Sequence, residues 1–156
     1  MRVTKWGECG ILCSLELARH YGEAAVGALE IADSQGLDLQ YTQQILQRLR
    51  KGNVIESVRG PRGGYHLARP PSETTLRDIL YAVEGDTFQI ICDYAPIHPA
   101  VDESSRCATK ETCALHGVWQ ELRHTIDSLL QGKTLADLMA QQPPGESLVT
   151  LTKREE

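Results

Sequence analysis

Three of the five cysteines in this 156-residue chain fall into a pattern that could do chemistry, Cys92-x14-Cys107-x5-Cys113-x2-His116. Thiolates are soft ligands that suit iron–sulfur clusters and zinc, and three thiolates with one imidazole complete a four-coordinate shell. Cys113 and His116 stand three apart at the expected start of a helix, so both can face one metal. Spacing alone does not choose between a cluster and zinc, and a metal-free thiol switch fits it as well. Cys9 and Cys13 are four apart on one face of another expected helix. They read as small buried hydrophobes, and helix geometry aims their sulfurs poorly for a disulfide. Glu8, near the start of that helix, reads by itself as a solvated carboxylate favoured by the dipole.

A second set of residues carries a different chemistry. Residues 40–70 hold six Lys/Arg against a single acid, Glu56, about +5 in a chain whose formal charge is −5. An acidic protein with one concentrated basic stretch is built to touch a polyanion at that place only. The polar residues there are Gln40, Tyr41, Gln43, Gln44, Gln47, Arg48 and Lys51, then Ser57, Arg59, Arg62, Gly63 and Gly64. Gln can bond the major-groove edge of adenine bidentately and Arg that of guanine. A glycine-rich tip bearing Arg59 and Arg62 can enter a minor groove or clasp phosphates.

The elements that must hold these groups follow from the periodicity. Asp38 caps a helix whose inward face is Ile45, Leu46 and Leu49, and Gly52-Asn53 provides a left-handed stop. A hairpin follows, with residues 54–59 pairing back through Tyr65, His66, Leu67 and Ala68 around Gly60-Pro61-Arg62-Gly63-Gly64. Upstream, Thr4 caps a first helix over about residues 5–21 with Ile11, Leu12, Leu15, Ala18 and Tyr21 inward. A short helix over about 26–34 turns Leu29 and Ala32 inward. A tight turn at Gln35-Gly36-Leu37 then gives the order of a helix-turn-helix with a wing. After Pro70-Pro71, Ser72 or Thr74 caps a helix over residues 76–84. Residues 86–112 show no sustained period, and so long an irregular stretch with cysteines near both ends reads as functional. A long helix over about 114–131 carries an apolar stripe of Leu115, Val118/Trp119, Leu122, Ile126 and Leu129, which fits pairing with a second copy. A short helix, about 134–141, precedes a polar tail.

The expected fold is therefore mostly α with a small β-hairpin wing: a winged helix-turn-helix module over residues 1–71, a cluster-binding loop and dimerisation helices over 72–142, and a flexible tail over 143–156. With 41% apolar residues the chain can bury a core. No run is long enough to span a bilayer and no signal-peptide pattern opens the chain, so a cytoplasmic protein with reduced thiols and no membrane partner is expected. No nucleophile–base motif or phosphate loop suggests an enzyme.

On these residues the chain resembles the IscR/NsrR-like iron–sulfur winged-helix transcription regulators (the Rrf-two family). The likeness is carried by Met1-Arg2-Val3-Thr4, Tyr41-x-x-Gln44, Arg48-Leu49-Arg50-Lys51, the wing Ser57-Val58-Arg59-Gly60-Pro61-Arg62-Gly63-Gly64-Tyr65, the three cysteines and Trp119. The resemblance implies a homodimeric repressor or activator binding a double-stranded DNA operator. It implies a 2Fe–2S or 4Fe–4S cluster on Cys92, Cys107 and Cys113, the sensor of iron, redox state or nitric oxide. The fourth ligand in such proteins is a histidine where this chain has His116, or a carboxylate from the partner subunit where it has Glu8. Both are present here. Glu8 is preferred, because an oxygen ligand from across the dimer would couple the cluster to subunit geometry.

The chain departs from the family pattern at several points. The Cys92–Cys107 gap is longer than in the IscR type, Gln43 replaces a glutamate, Gly52-Asn53 inverts the usual order, and Cys9 and Cys13 have no counterpart role. The alternatives are a zinc- or thiol-based regulator on the same fold, or an iron–sulfur electron-transfer or carrier protein.

Overall fold

The computed structural model describes residues 4–86 and 114–141. Cys92, Cys107, Cys113, the irregular stretch around them and the tail from residue 143 lie outside the described residues.

Helix α1 (Lys5–Arg19) starts where Thr4 accepts a hydrogen bond from Trp6 N at 3.1 Å. Its buried face is Cys9, Cys13, Leu15, Leu17 and Ala18. Tyr21, expected inward, lies beyond the helix end and is exposed. Helix α2 (Ala28–Gln35) begins two residues later than expected, behind a Gly27 cap. The inward residues are therefore Ile31, Ala32 and Gln35, while Leu29 is 58% exposed, a correction to its expected place. Gly36 adopts the left-handed conformation that closes α2 and turns the chain into the next helix.

Helix α3 (Leu39–Lys51) is capped by Asp38, which accepts from Tyr41 N at 2.9 Å. Ile45, Leu46 and Leu49 are fully buried on its inner face, as their spacing predicts. At its end the left-handed residue is Asn53 (φ 56°), not Gly52. Gly52 serves a different need. A Cβ there would overlap the Ala82 side chain and stand 3.0 Å from its Cα, so only glycine lets α3 meet the next helix so closely.

The wing is an antiparallel pair, β1 (Ile55–Val58) and β2 (Gly64–Leu67), in the register Ile55↔Leu67, Glu56↔His66, Ser57↔Tyr65 and Val58↔Gly64. Ile55 and Leu67 anchor its base in the core. Val26 bridges to Tyr65 through two 2.9 Å backbone hydrogen bonds, tying the wing to the start of α2.

Helix α4 (Leu76–Glu84) begins at a capping box between Thr75 and Asp78, rather than at Ser72 or Thr74. Thr74 is instead fully buried, its hydroxyl donating to Pro70 O at 3.1 Å. Ile79, Leu80 and Val83 face the core, as expected. Gly10 allows α4 to lie close on α1, since a Cβ there would come within 2.8 Å of Val83 Cγ2. Helices α5 (Ala114–Gln131) and α6 (Leu135–Gln141) complete the described chain. The backbone pairs Leu76 N with Lys133 O and Leu135 N with Thr74 O, both at 2.9 Å, which seats Leu135 in the same core as Ile45, Leu49 and Ile79. One hydrophobic core thus runs across residue 71.

Candidate nucleic-acid interface

On the exposed face of α3, Gln40, Gln43, Gln44 and Gln47 recur at the spacing that places side chains in one strip. With Arg50 and Tyr65 they line an open groove of about 570 Å³ between α3 and the wing. None of the four amides has a hydrogen-bond partner among the described residues, so each presents one acceptor and two donors outward. Arg50 leans towards the wing, its Nη1 3.5 Å from Ser57 Oγ. At the tip, Gly60 takes a positive φ of 124° and accepts from Gly63 N at 2.9 Å. A Cβ on Gly63 would come within 2.8 Å of the Gly60 carbonyl oxygen. The resulting narrow tip holds Arg59 and Arg62, both exposed and neither paired with a carboxylate among the described residues.

Two residues expected on this face point elsewhere. Arg48 reaches across the flank of α3, where Nη1 donates to Val83 O at 2.7 Å and the guanidinium lies 4.4 Å from the centre of the Trp6 ring. Tyr41, on the same flank, is half-buried with its ring 4.7 Å from that of Trp6. Burial pushes the Tyr41 hydroxyl up, with Cys9 beside it adding to the effect. Arg48 joins α3 to α1 and to the last turn of α4, whose carbonyls lack helical partners and favour a cation. Gln40 and Gln47 lie on the polar face that the sequence predicts for this helix, whereas Arg50 and Tyr65 were not expected in the groove. The repeat of glutamine at three, four and seven positions was the available signal for the first two.

The candidate metal ligands that the structure describes lie on α1 and α5. Glu8 is exposed in the first turn of α1, with no side-chain partner among the described residues. That turn is clasped by Glu84, whose Oε1 accepts from Thr4 N (2.9 Å), Thr4 Oγ1 (2.8 Å) and Gly7 N (2.7 Å). His116 lies in the first turn of α5, with Nδ1 buried and without a partner among the described residues. A buried imidazole nitrogen lacking a hydrogen bond costs free energy, and a metal ion is one partner that satisfies it. The described residues contain no group of three His, Cys, Asp or Glu able to hold a metal by themselves. Cys9 and Cys13 are buried thiols in the core.

None of the described residues of α5 is buried. Leu115, Val118, Trp119, Leu122 and Leu129 are exposed along it and Ile126 half-buried. Arg77 of α4 pairs with Asp127 of α5 at 3.6 Å, and Asp86, just past the end of α4, pairs with Arg123. No described helix is long and apolar enough to cross a membrane.

Comparison with known proteins bears on all of these features. A family model described as Rrf2, iron-dependent transcriptional regulator, matches residues 3–141. The chain is 32% identical over 142 residues to the HTH-type transcriptional regulator IscR of Serratia proteamaculans, covering 91% of this chain and 81% of that protein. Among solved structures it is similar to CymR, the global cysteine regulator of B. subtilis (TM-score 0.69, 26% identity, 92% of this chain and 99% of that one). It is also similar to T. potens IscR (TM-score 0.65, 29% identity, 93% and 94%). A helix-turn-helix with an outward amide strip, a wing tipped with arginines, and matches that run nearly the length of the chain meet in one conclusion. The chain belongs to the Rrf2 family and is an HTH-type transcription regulator, not an enzyme.

Proposed function

We propose that this chain is a homodimeric DNA-binding regulator that senses iron, redox state or nitric oxide through an iron–sulfur cluster held by Cys92, Cys107 and Cys113. The observation that carries the DNA half is the groove between α3 and the wing. There four amides and two arginines, without side-chain partners among the described residues, face outward on an otherwise acidic protein. In this reading α3 enters the major groove with Gln43 and Gln44 at its centre, and Ser57, Arg59, Arg62, Gly63 and Gly64 work on the minor groove and phosphates. Tyr41 and Arg48 belong to the frame that holds α3 in place.

The exposed stripe of α5 supports the dimer. Five large apolar side chains on one helix form the kind of patch that a second copy covers, and two-fold pairing would set two recognition helices about 34 Å apart, one turn of duplex. A Leu122→Lys variant should sediment as a monomer.

The sensing half is supported by the donor set. Three thiolates suit iron–sulfur and zinc alike, and the buried Nδ1 of His116 and the exposed Glu8 carboxylate are the two candidates for a fourth ligand. When bound, a cluster supplies a centre whose charge and ligand set change with oxidation, nitrosylation or loss of iron. Glu8 sits on the turn that Glu84 clasps, so a pull on Glu8 bears on α4 and on the Val83 carbonyl that Arg48 holds. A coupling of about 1–3 kcal/mol between ligand and DNA would be typical of such linkage.

The test is an absorption spectrum with iron and sulfide analysis on protein purified without oxygen, followed by DNA titration. Broad visible absorbance with stoichiometric iron and sulfide is expected. So is a difference in DNA affinity between loaded and stripped forms that Cys107→Ala abolishes. A colourless protein carrying zinc, or a Cys107→Ala variant that still responds to iron or oxidant, would move sensing to zinc or to the thiols.

A further inference from the structure

The strip on α3 also constrains which DNA the protein reads, given the proposed entry of α3 into the major groove. Adenine presents a neighbouring acceptor and donor there, N7 and the N6 amino group, which one carboxamide matches with its own donor and acceptor. Guanine presents two acceptors, N7 and O6, so a carboxamide set against both leaves its own oxygen facing an acceptor. The exposed strip holds four carboxamides, Gln40, Gln43, Gln44 and Gln47. α3 carries no Asp or Glu that could accept from a cytosine amino group. Arg48, the side chain that could have read guanine near its centre, is committed to Val83 O and Trp6. Arg50 remains at the wing edge of the groove, near Ser57.

The wing leans the same way. Its tip is thinned by Gly60 and Gly63 and carries Arg59 and Arg62 unpaired among the described residues. Narrow minor grooves over A·T runs concentrate negative potential and draw arginine into them. Helix and wing favour the same base composition by two independent physical routes.

We infer that each operator half-site is A·T-rich, with adenines opposite the glutamine strip in the major groove and a narrow A·T minor groove under the wing. Gln43 and Gln44, at the middle of the strip, are the specificity-determining pair.

The test selects sites from a randomised duplex library with the full chain purified without oxygen, then probes the selected site atom by atom. Replacing single adenines by 7-deazaadenine removes the N7 acceptor and leaves base pairing intact. The expected result is an A·T-rich consensus under the helix, with an affinity loss of about tenfold at each contacted adenine. Gln43→Ala and Gln44→Ala should each become insensitive to the replacement at one adenine. A specific site whose positions under the helix are G·C, or a selected site indifferent to every 7-deazaadenine, would overturn the inference while leaving DNA binding by this face in place. A library that yields no preferred sequence, with Arg59→Ala also without effect, would overturn the assignment of this face to DNA and the inference with it.

Discussion

Replacing Arg48 by alanine separates two roles that a basic residue on a recognition helix can play. In the structure its guanidinium donates to Val83 O at 2.7 Å and stacks over Trp6 at 4.4 Å. A hydrogen bond from a charged donor contributes about 1.5–3 kcal/mol and an exposed cation–π contact about 0.5–1 kcal/mol. Arg48 is largely exposed as a residue, so the lower ends apply and the loss is about 2 kcal/mol. For a protein of this size about 1 kcal/mol shifts Tm by about 2–4 °C, so Arg48→Ala should melt about 4–8 °C below the parent. Arg48→Lys should recover little, because a compact ammonium neither stacks as a plane nor forks. The assay is a thermal melt beside DNA titrations on an operator and on its single-base variants. Weaker binding that is uniform across the variants fits a framing residue. An unchanged Tm together with lost discrimination at one base pair would refute the reasoning and return Arg48 to the groove.

Three further outcomes follow from other contacts. Gly52→Ala should destabilise by about 1–3 kcal/mol in a denaturant melt, because its Cβ overlaps Ala82 and forces α3 off α4; full stability would mean the two helices give way freely. The His20 imidazole is held above its ordinary 6.5 by its hydrogen bond to Glu23, against some desolvation and with help from Glu16. A raised folded value means this stabilisation is complete below pH 6.5 and fades as pH climbs through the folded value, so Glu23→Gln should flatten the decline in urea midpoint on going from acid to alkaline buffer. Burial pushes the Cys13 thiol up to about 12 and raises Cys9 as well, so peptide mapping after alkylation at pH ~8 should find both unmodified until the protein is unfolded. Rapid labelling of either in the native state would show that the α1 core opens.

Much of the DNA-binding module was legible because its signals are local. Asp38 caps α3 through a contact three residues away, Ile45, Leu46 and Leu49 mark its inner face by spacing, and α4 runs over the expected residues 76–84. The glycines of the wing tip announced a hairpin, and its exposed Arg59 and Arg62 lie where that hairpin puts them. The misplacements share a cause. Whether Arg48 faces a base or a carbonyl is decided by Trp6 and Val83, residues 42 and 35 positions away, and no periodicity within α3 contains them. Leu29 stands three residues from the buried Ala32, but the inner face of α2 centres on Ile31, Ala32 and Gln35, and at about 100° per residue this leaves Leu29 beyond its edge. Thr74 and Thr75 are both plausible caps by type. The backbone pairing with Thr134 and Leu135 fixes Thr74 in the core and leaves Thr75 to do the capping. The reverse held for Cys9 and Cys13, whose burial their helical spacing did foretell.

The seating of Leu135 beside Ile45, Leu49 and Ile79 has a consequence for how the chain comes into being. Residues 1–71 contain every group proposed to touch DNA, yet they do not contain their own lid. During synthesis the recognition helix and wing leave the ribosome with the surface meant for α4 bare, and with a gap where Leu135 will sit. α4 closes the first when Glu84 reaches back about 80 positions to Thr4, and the second waits for α6. A fragment cut after the wing should therefore be sticky and poorly packed rather than a small competent binder. Premature DNA contact by a half-made chain is thereby discouraged by the order in which its core is completed.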